Sequence, residues 1–261
     1  MIVTVLQARM SSTRLPGKVL RPILGRPMIA HQIDRIRRAR LIGRLVVATS
    51  VRPEDDAVAE AAAAAGAECA RGPLDDVLAR FHGAVAGRAE HVVRLTADCP
   101  LADWNVIDAA IARHLAAGAD YTSNSVRRSF PVGLDVEVMT LAALEAAHRE
   151  AEEPADREHV TRFLYRRPER FRIEQLVLAA DLSPLRWTVD TPEDFALAAA
   201  VYGALHPAGP DFDRADVLDL LRARPDIAGL NADAAARALY RDLAAGPADP
   251  LGRGAALPTL A

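Results

Sequence analysis

Ile2-Val3-Thr4-Val5-Leu6, running into Gln7-Ala8-Arg9-Met10-Ser11-Ser12-Thr13-Arg14-Leu15-Pro16-Gly17-Lys18, is the stretch that decides the fold class. A short apolar, β-branched run reads as a buried strand of a parallel sheet. The polar loop after it puts two arginines, a lysine, three hydroxyls and a glycine at the carboxyl end of that strand, where open α/β sheets bind ligands. Phosphates need these groups: guanidinium forks for bidentate contacts, an ammonium point charge, and backbone amides where glycine lets the chain approach. The loop matches neither of the two commonest phosphate cradles. No glycine stands five residues before Gly17, Val19 follows Lys18 where a Walker A loop has Ser or Thr, and there is no GxGxxG. Of the 32 cationic residues all but Lys18 are arginine, so the single lysine falls inside this loop.

Outward from the loop, strands and helices alternate. Pro27 to Arg40 carries an apolar stripe of helical period, Leu45 to Ala48 is a second strand, and Glu54 to Ala65 is a helix stopped by Gly66. Ala67 to Ala70, Asp75 to Ala86, His91 to Leu95 and Trp104 to Ala117 continue as strand, helix, strand, helix. Right-handed βαβ units and a mainly parallel sheet flanked by helices follow. Beyond Gly118 the reading is strands over Ala119 to Thr122, Leu134 to Met139, Phe171 to Leu178 and Arg186 to Val189, with helices over Leu141 to Glu152 and Arg157 to Tyr165. Thr191-Pro192-Glu193-Asp194 opens a helix to about Leu205, and Phe212 to Arg222 and Ala232 to Ala244 close the chain as helices. The expectation is one α/β domain over residues 1–245, with a helical annex from about 206 and a disordered tail over 246–261.

Composition sets limits on partners. With a formal charge of −3, 26% charged residues and 51% hydrophobic residues, nothing suggests a polyanion partner, so any phosphate site is local. Cys69 and Cys99 are too few for a disulfide framework or a structural zinc. No apolar run approaches the length of a membrane span or a signal peptide. No nucleic-acid partner, no membrane and a cytoplasmic location are expected.

After the fourth strand comes Arg94-Leu95-Thr96-Ala97-Asp98-Cys99-Pro100. A carboxylate at that strand tip can hold Mg²⁺ opposite the phosphate loop, or else cap the next helix. Asp190, next to a Thr191 that already serves as cap, can supply a second carboxylate, although spacing alone does not decide it. Thr49-Ser50 and the segment from Arg71 to Asp76 stand at the tips of the second and third strands, where hydroxyls and exposed backbone could read a base; a helix-cap role for Thr49-Ser50 is the plainer alternative. Asp135 and Glu137 share one face of a strand and could bind sugar hydroxyls. Arg157 and His159 at a helix start could hold an anionic acceptor.

The segments QARMSSTRLPGKVL, RGPLDDVLARF, VVRLTADCPL, PVGLDVEV, DREHVT and VDTPEDF resemble, in that order, the cytidylyltransferase family of spore-coat polysaccharide synthesis (SpsF type), and more distantly the CMP-Kdo and CMP-acylneuraminate synthetases. The likeness covers about residues 1–225. It implies a Rossmann-like nucleotidyltransferase (GT-A-like) fold, transfer of CMP from CTP to a small acidic acceptor with Mg²⁺, and a homodimer. By the same resemblance Arg9, Arg14 and Lys18 bind the triphosphate, and Asp98 and Asp190 match the metal-binding aspartates. The expected site is then Lys18, Arg14 and Asp98 for catalysis; Ala8, Arg9, Ser11, Arg14, Gly17, Lys18, Thr49, Ser50, Arg71, Asp76 and Arg94 around the nucleotide; Asp135, Glu137, Arg157 and His159 around the acceptor; and Asp98 and Asp190 on the metal. The rivals are transfer to a phosphate or phosphonate, use of another NTP, and a catalytically idle nucleotide sensor. A glycosyltransferase would show a DxD motif, which Asp98-Cys99-Pro100 is not.

Overall fold

The computed structural model describes residues 1–245; the tail expected over 246–261 lies outside the described residues. In chain order the elements are β1 (Ile2–Gln7), β2 (Pro22–Ile23), β3 (Arg26–Pro27), α1 (Met28–Ile36), β4 (Arg44–Ser50), α2 (Asp56–Ala64), β5 (Glu68–Gly72), α3 (Val77–Val85), β6 (His91–Thr96) and α4 (Trp104–Ala117). They continue as β7 (Tyr121–Ser123), β8 (Glu137–Thr140), α5 (Leu141–Glu150), α6 (Pro154–His159), α7 (Arg162–Tyr165), β9 (Ile173–Gln175), α8 (Pro192–Leu205), α9 (Arg214–Ala223), α10 (Pro225–Ala228) and α11 (Ala234–Ala245).

Seven strands form one sheet in the order β5-β4-β1-β6-β8-β7-β9. β1 pairs in parallel with β4 and β6, β4 with β5, and β7 with β9, while β8 alone runs against its neighbours. The sheet is mainly parallel, as the strand-helix rhythm requires. Because the chain steps from β1 to β4 on one side and places β6 on the other, the carboxyl ends of β1 and β6 flank a topological switch point. Gln7 lies beside Thr96 there, so the loops after these two strands share one crevice.

β1 is buried on both faces. Val3 and Val5 pack with Leu78, Phe81 and Leu144 on one side, and Leu6 packs with Ile29, Ile33 and Ile107 on the other. The second layer runs on without a break into Trp187, Tyr202, Phe212, Leu218 and Tyr240, so the helices expected as an annex add to the core beneath the switch point. Arg35, 2% exposed, helps to fasten them: its guanidinium donates to the carbonyls of Ala102 and Phe212 and lies over the Phe212 ring at 4.4 Å. Among the described residues no helix is long and apolar enough to cross a membrane.

Two expected elements take another form. Arg186 to Val189 is no sheet strand; it makes one bridge, Val132 to Arg186, the amides of Trp187 and Thr188 both go to the Val132 carbonyl, and the Val189 amide goes to the Asp98 carbonyl. Gly133 has φ 110, and a Cβ there would stand 2.4 Å from the Thr188 nitrogen, an approach too close for regular pairing. The helix expected over Arg157 to Tyr165 is two helices, broken at Val160 with φ 56 and ψ −61. There the Thr161 amide bonds the His159 carbonyl at 2.5 Å, which makes the break a γ-turn at a β-branched, fully buried residue.

Candidate active site

The loop after β1 is folded around Met10. The Met10 carbonyl accepts the amides of Ser12 at 2.8 Å and Gly17 at 3.1 Å. Gly17 has φ 67, a left-handed conformation natural to glycine, and it directs the chain into the short 3-10 turn Lys18–Leu20. That turn aims the side chain of Lys18, only 7% exposed, back into the crevice. Its ammonium donates to Asp98 Oδ2 at 3.1 Å, Asp190 Oδ1 at 2.8 Å and the Val189 carbonyl at 2.7 Å. The lone lysine and the two predicted aspartates therefore meet at one point, from segments about eighty and ninety residues apart.

Neither aspartate is a helix cap. Asp103 caps α4, accepting the amides of Asn105 and Val106. Thr191 and Asp194 form a capping box on α8. Asp194 also accepts the amides of Asp190 and Thr191 and pairs with Arg186, which fixes the turn that presents Asp190. Asp190 receives Arg14 at 3.0 Å and Arg186 at 2.7 Å besides Lys18. Burial alone would raise its carboxyl, but Lys18, Arg186 and Arg14 together hold it below the ordinary aspartate value.

Arg14, Lys18, Asp98 and Asp190 line a cleft of about 270 Å³ with Ala8, Arg9 and Ser11. Gly17 sets its geometry from behind. Among the described residues no three His, Cys, Asp or Glu side chains converge as a complete metal site. Two carboxylates are nonetheless the donor set Mg²⁺ uses when phosphate oxygens and water complete its shell. Asp98 and Asp190, drawn together on a single cation, fit that chemistry.

The residues expected around the base lie outside this cleft. Thr49 and Ser50 are fully buried at the end of β4. Arg71 spends its guanidinium on Asp56 and on the carbonyls of Ser50 and Arg52. Asp76 caps α3 through the Ala79 amide and pairs with Arg157. Arg157, expected at the acceptor, thus ties the β5 loop to the end of α5, where it also donates to the His148 carbonyl at 2.8 Å.

Arg94 faces a second cavity of about 470 Å³, which shares Thr96 with the cleft and is lined by Asp135, Glu137, His159 and Thr161. Three of the four expected acceptor residues therefore stand together. Glu137 is 7% exposed and saturated: it takes Arg94, the Tyr121 hydroxyl at 2.5 Å and the Thr161 hydroxyl at 2.5 Å. Burial pushes its carboxyl up, and Arg94 with the two hydroxyls more than offsets this, so the net displacement is downward. At the mouth Arg128 holds Asp135 in a bidentate pair, 2.8 and 3.1 Å. His159 and Thr161 reach the cavity from either side of the γ-turn at Val160.

Arg128, Thr161, Arg186 and Asp194 escape a reading of the sequence. Thr161 and Asp194 stand inside quoted segments, DREHVT and VDTPEDF, but nothing in the spacing separates them from caps. Arg128 and Arg186 are two arginines among many.

The chain is 32% identical over 237 residues to spore coat polysaccharide biosynthesis protein SpsF of Bacillus subtilis, covering 87% of this chain and 96% of that protein. It is 29% identical to 3-deoxy-manno-octulosonate cytidylyltransferase of Anaeromyxobacter sp. (strain K), over 78% of this chain and 98% of that one. A solved cytidylyltransferase from Leptospira borgpetersenii superposes with a TM-score of 0.82 at 28% identity, covering 87% and 95% of the two chains. The cytidylyltransferase family model matches residues 3–203. With that match spanning the phosphate loop, Asp98 and Asp190, the chain belongs to the cytidylyltransferase family.

Proposed function

We propose that the chain transfers CMP from CTP to a hydroxyl of a sugar acid or similar acidic acceptor, releasing pyrophosphate, in surface-glycan synthesis. The observation that carries the reading is the convergence of Lys18, Asp98 and Asp190 at the mouth of the phosphate loop, beside a second cavity of suitable size. Residues 8–18 cradle the triphosphate, with Arg9, Arg14 and Lys18 neutralising the pyrophosphate as it leaves. Phosphoryl chemistry of this kind asks the protein mainly for positioning and electrostatics. Mg²⁺ held by Asp98 and Asp190 would supply further positive charge at the α-phosphate. The acceptor enters through the second cavity, with its reacting hydroxyl directed past Thr96 toward the cleft.

Charge supports the choice of acceptor class. Arg94 and Arg128 each already carry a carboxylate. A single carboxylate on the acceptor can exchange with Asp135 on Arg128, which is the more exposed pair. A phosphate or phosphonate would bring two charges where Arg128 alone can readily exchange its partner, since Glu137 on Arg94 is buried and also bonded to Tyr121 and Thr161, so the sugar acid is favoured over that rival.

The test is pyrophosphate release with CTP, UTP, ATP and GTP, each against Kdo, N-acetylneuraminate and a phosphonate, with Mg²⁺. CTP with a sugar acid is expected to exceed every other combination at least tenfold. Preference for another NTP overturns the choice of base, and release with the phosphonate alone overturns the acceptor. No release at all favours an idle nucleotide-binding protein.

A further inference from the structure

Asp55 closes the 3-10 turn Pro53–Asp55 that runs directly into α2, and its side chain makes no cap hydrogen bond. It is 1% exposed and turned away from the helix. Oδ1 accepts the Met10 amide at 2.7 Å, and Oδ2 accepts the Ser50 amide at 3.2 Å and the Ser50 hydroxyl. A buried carboxylate costs several kcal/mol unless it is well bonded, and this one spends its hydrogen bonds on joining two loops.

Those loops are the phosphate loop and the end of β4. Met10 is the hub of the first: with its amide held by Asp55, its carbonyl holds Ser12 and Gly17, and Gly17 leads directly into Lys18. The methyl of Met10 also lies 3.2 Å from where a Gly17 Cβ would be, so any side chain at position 17 would crowd it. A shift of the Met10 amide is passed through the hydrogen bond from the Gly17 amide to the Met10 carbonyl, and so to the residue before Lys18, whose ammonium faces Asp98 and Asp190.

We propose that Asp55 is the positioning residue that sets the phosphate loop, by locking Met10 to the β4 tip. The proposal rests on the loop binding the triphosphate. Asp55 touches no phosphate itself; it fixes the amides and the lysine that do. Asparagine at this position keeps the shape but has only one acceptor, and its amide would meet either the Met10 or the Ser50 donors head on.

The test measures binding of CTP, CMP and inorganic tripolyphosphate by calorimetry to the parent, Asp55→Asn and Ser50→Ala. Asp55→Asn is expected to weaken CTP and tripolyphosphate at least about tenfold, the scale of one lost charged hydrogen bond, while CMP changes less than about threefold. Ser50→Ala, which removes the hydroxyl but leaves the Ser50 amide on Oδ2, is expected to show the same pattern at about threefold. Equal weakening of all three ligands would mean general loosening and would overturn the proposal, as would parent-like tripolyphosphate binding by Asp55→Asn. If Asp55→Asn does not fold, Ser50→Ala decides alone on the same criterion. A parent that binds tripolyphosphate but prefers another nucleotide removes the CTP reading and leaves the Asp55 comparison intact; a parent that binds neither removes the phosphate loop and this inference with it.

Discussion

Replacing Lys18 with methionine keeps the length of the stem and removes the charge that holds the site together. The ammonium lies 2.8 Å from Asp190 and 3.1 Å from Asp98. At an effective dielectric near 20 these contacts are worth roughly 6 and 5 kcal/mol gross. Dehydration of a group only 7% exposed cancels much of that, and removing one partner of a buried pair typically costs about 3–5 kcal/mol. Asp190 keeps Arg14 and Arg186, which places the expected loss near the lower end, about 3 kcal/mol. For a chain of this size that is a fall in Tm of roughly 6–12 °C, read by calorimetry without nucleotide. Pyrophosphate release should fall by about two to three orders of magnitude, the scale of losing one transition-state charge contact. Arginine at this position should restore part of the stability but little of the rate, because a planar fork cannot occupy the point between two carboxylates. A Lys18→Met protein with parental Tm and parental CTP affinity would refute the reasoning.

Glu137→Gln leaves Arg94 buried without its counter-charge and should cost about 3 kcal/mol in urea unfolding at pH 7. Because the Glu137 carboxyl is held below its ordinary value, its share of the stability is present above about pH 4.5 and lost as pH falls through the folded value, so the variant's acid limb should be flatter. His114, 1% exposed and bonded to His91 and Thr122, is pushed by burial to about 4. The unfolded chain takes up that proton below about pH 6.5 and the native chain does not, so stability should decline by roughly 2–4 kcal/mol between the two values, and His114→Gln should remove this slope. At Val160, where φ is 56 and ψ −61, Gly should be about 1 kcal/mol more stable than Ala by urea unfolding, the reverse of the order in an ordinary turn or helix; Ala equal to or above Gly would show that the turn is not strained.

Much of the site is legible in the sequence because local chemistry and position coincide. Lys18 is unique, Asp98 follows a plainly apolar strand, and the family resemblance singles out Asp190 where spacing alone does not. The parallel half of the sheet is legible for the same reason, since βαβ units write their periods in contiguous residues. What escapes depends on distance along the chain or on a single backbone angle. Asp55 falls in the first turn of the helix expected over Glu54 to Ala65 and draws no notice until Met10, 45 residues earlier, is seen to claim its carboxylate. Arg157 looks like an acceptor ligand until Asp76, 81 residues away, takes its guanidinium. The segment before Asp190 has the composition of a strand, but its neighbour is the bare backbone of Gly133 and not a strand edge. Val160 sits in a helical pattern that one positive φ interrupts, and no propensity argument places a valine there.

The account stands or falls on Asp98. With saturating CTP, Mg²⁺ and a sugar-acid acceptor turned over by the parent, Asp98→Asn should fold with a Tm close to the parent's, since Asp190 retains Lys18, Arg14 and Arg186, while pyrophosphate release falls by at least about two orders of magnitude. A folded Asp98→Asn protein that releases pyrophosphate at the parental rate would contradict the assignment of the cleft between the phosphate loop and the β6 tip as the place where CTP reacts.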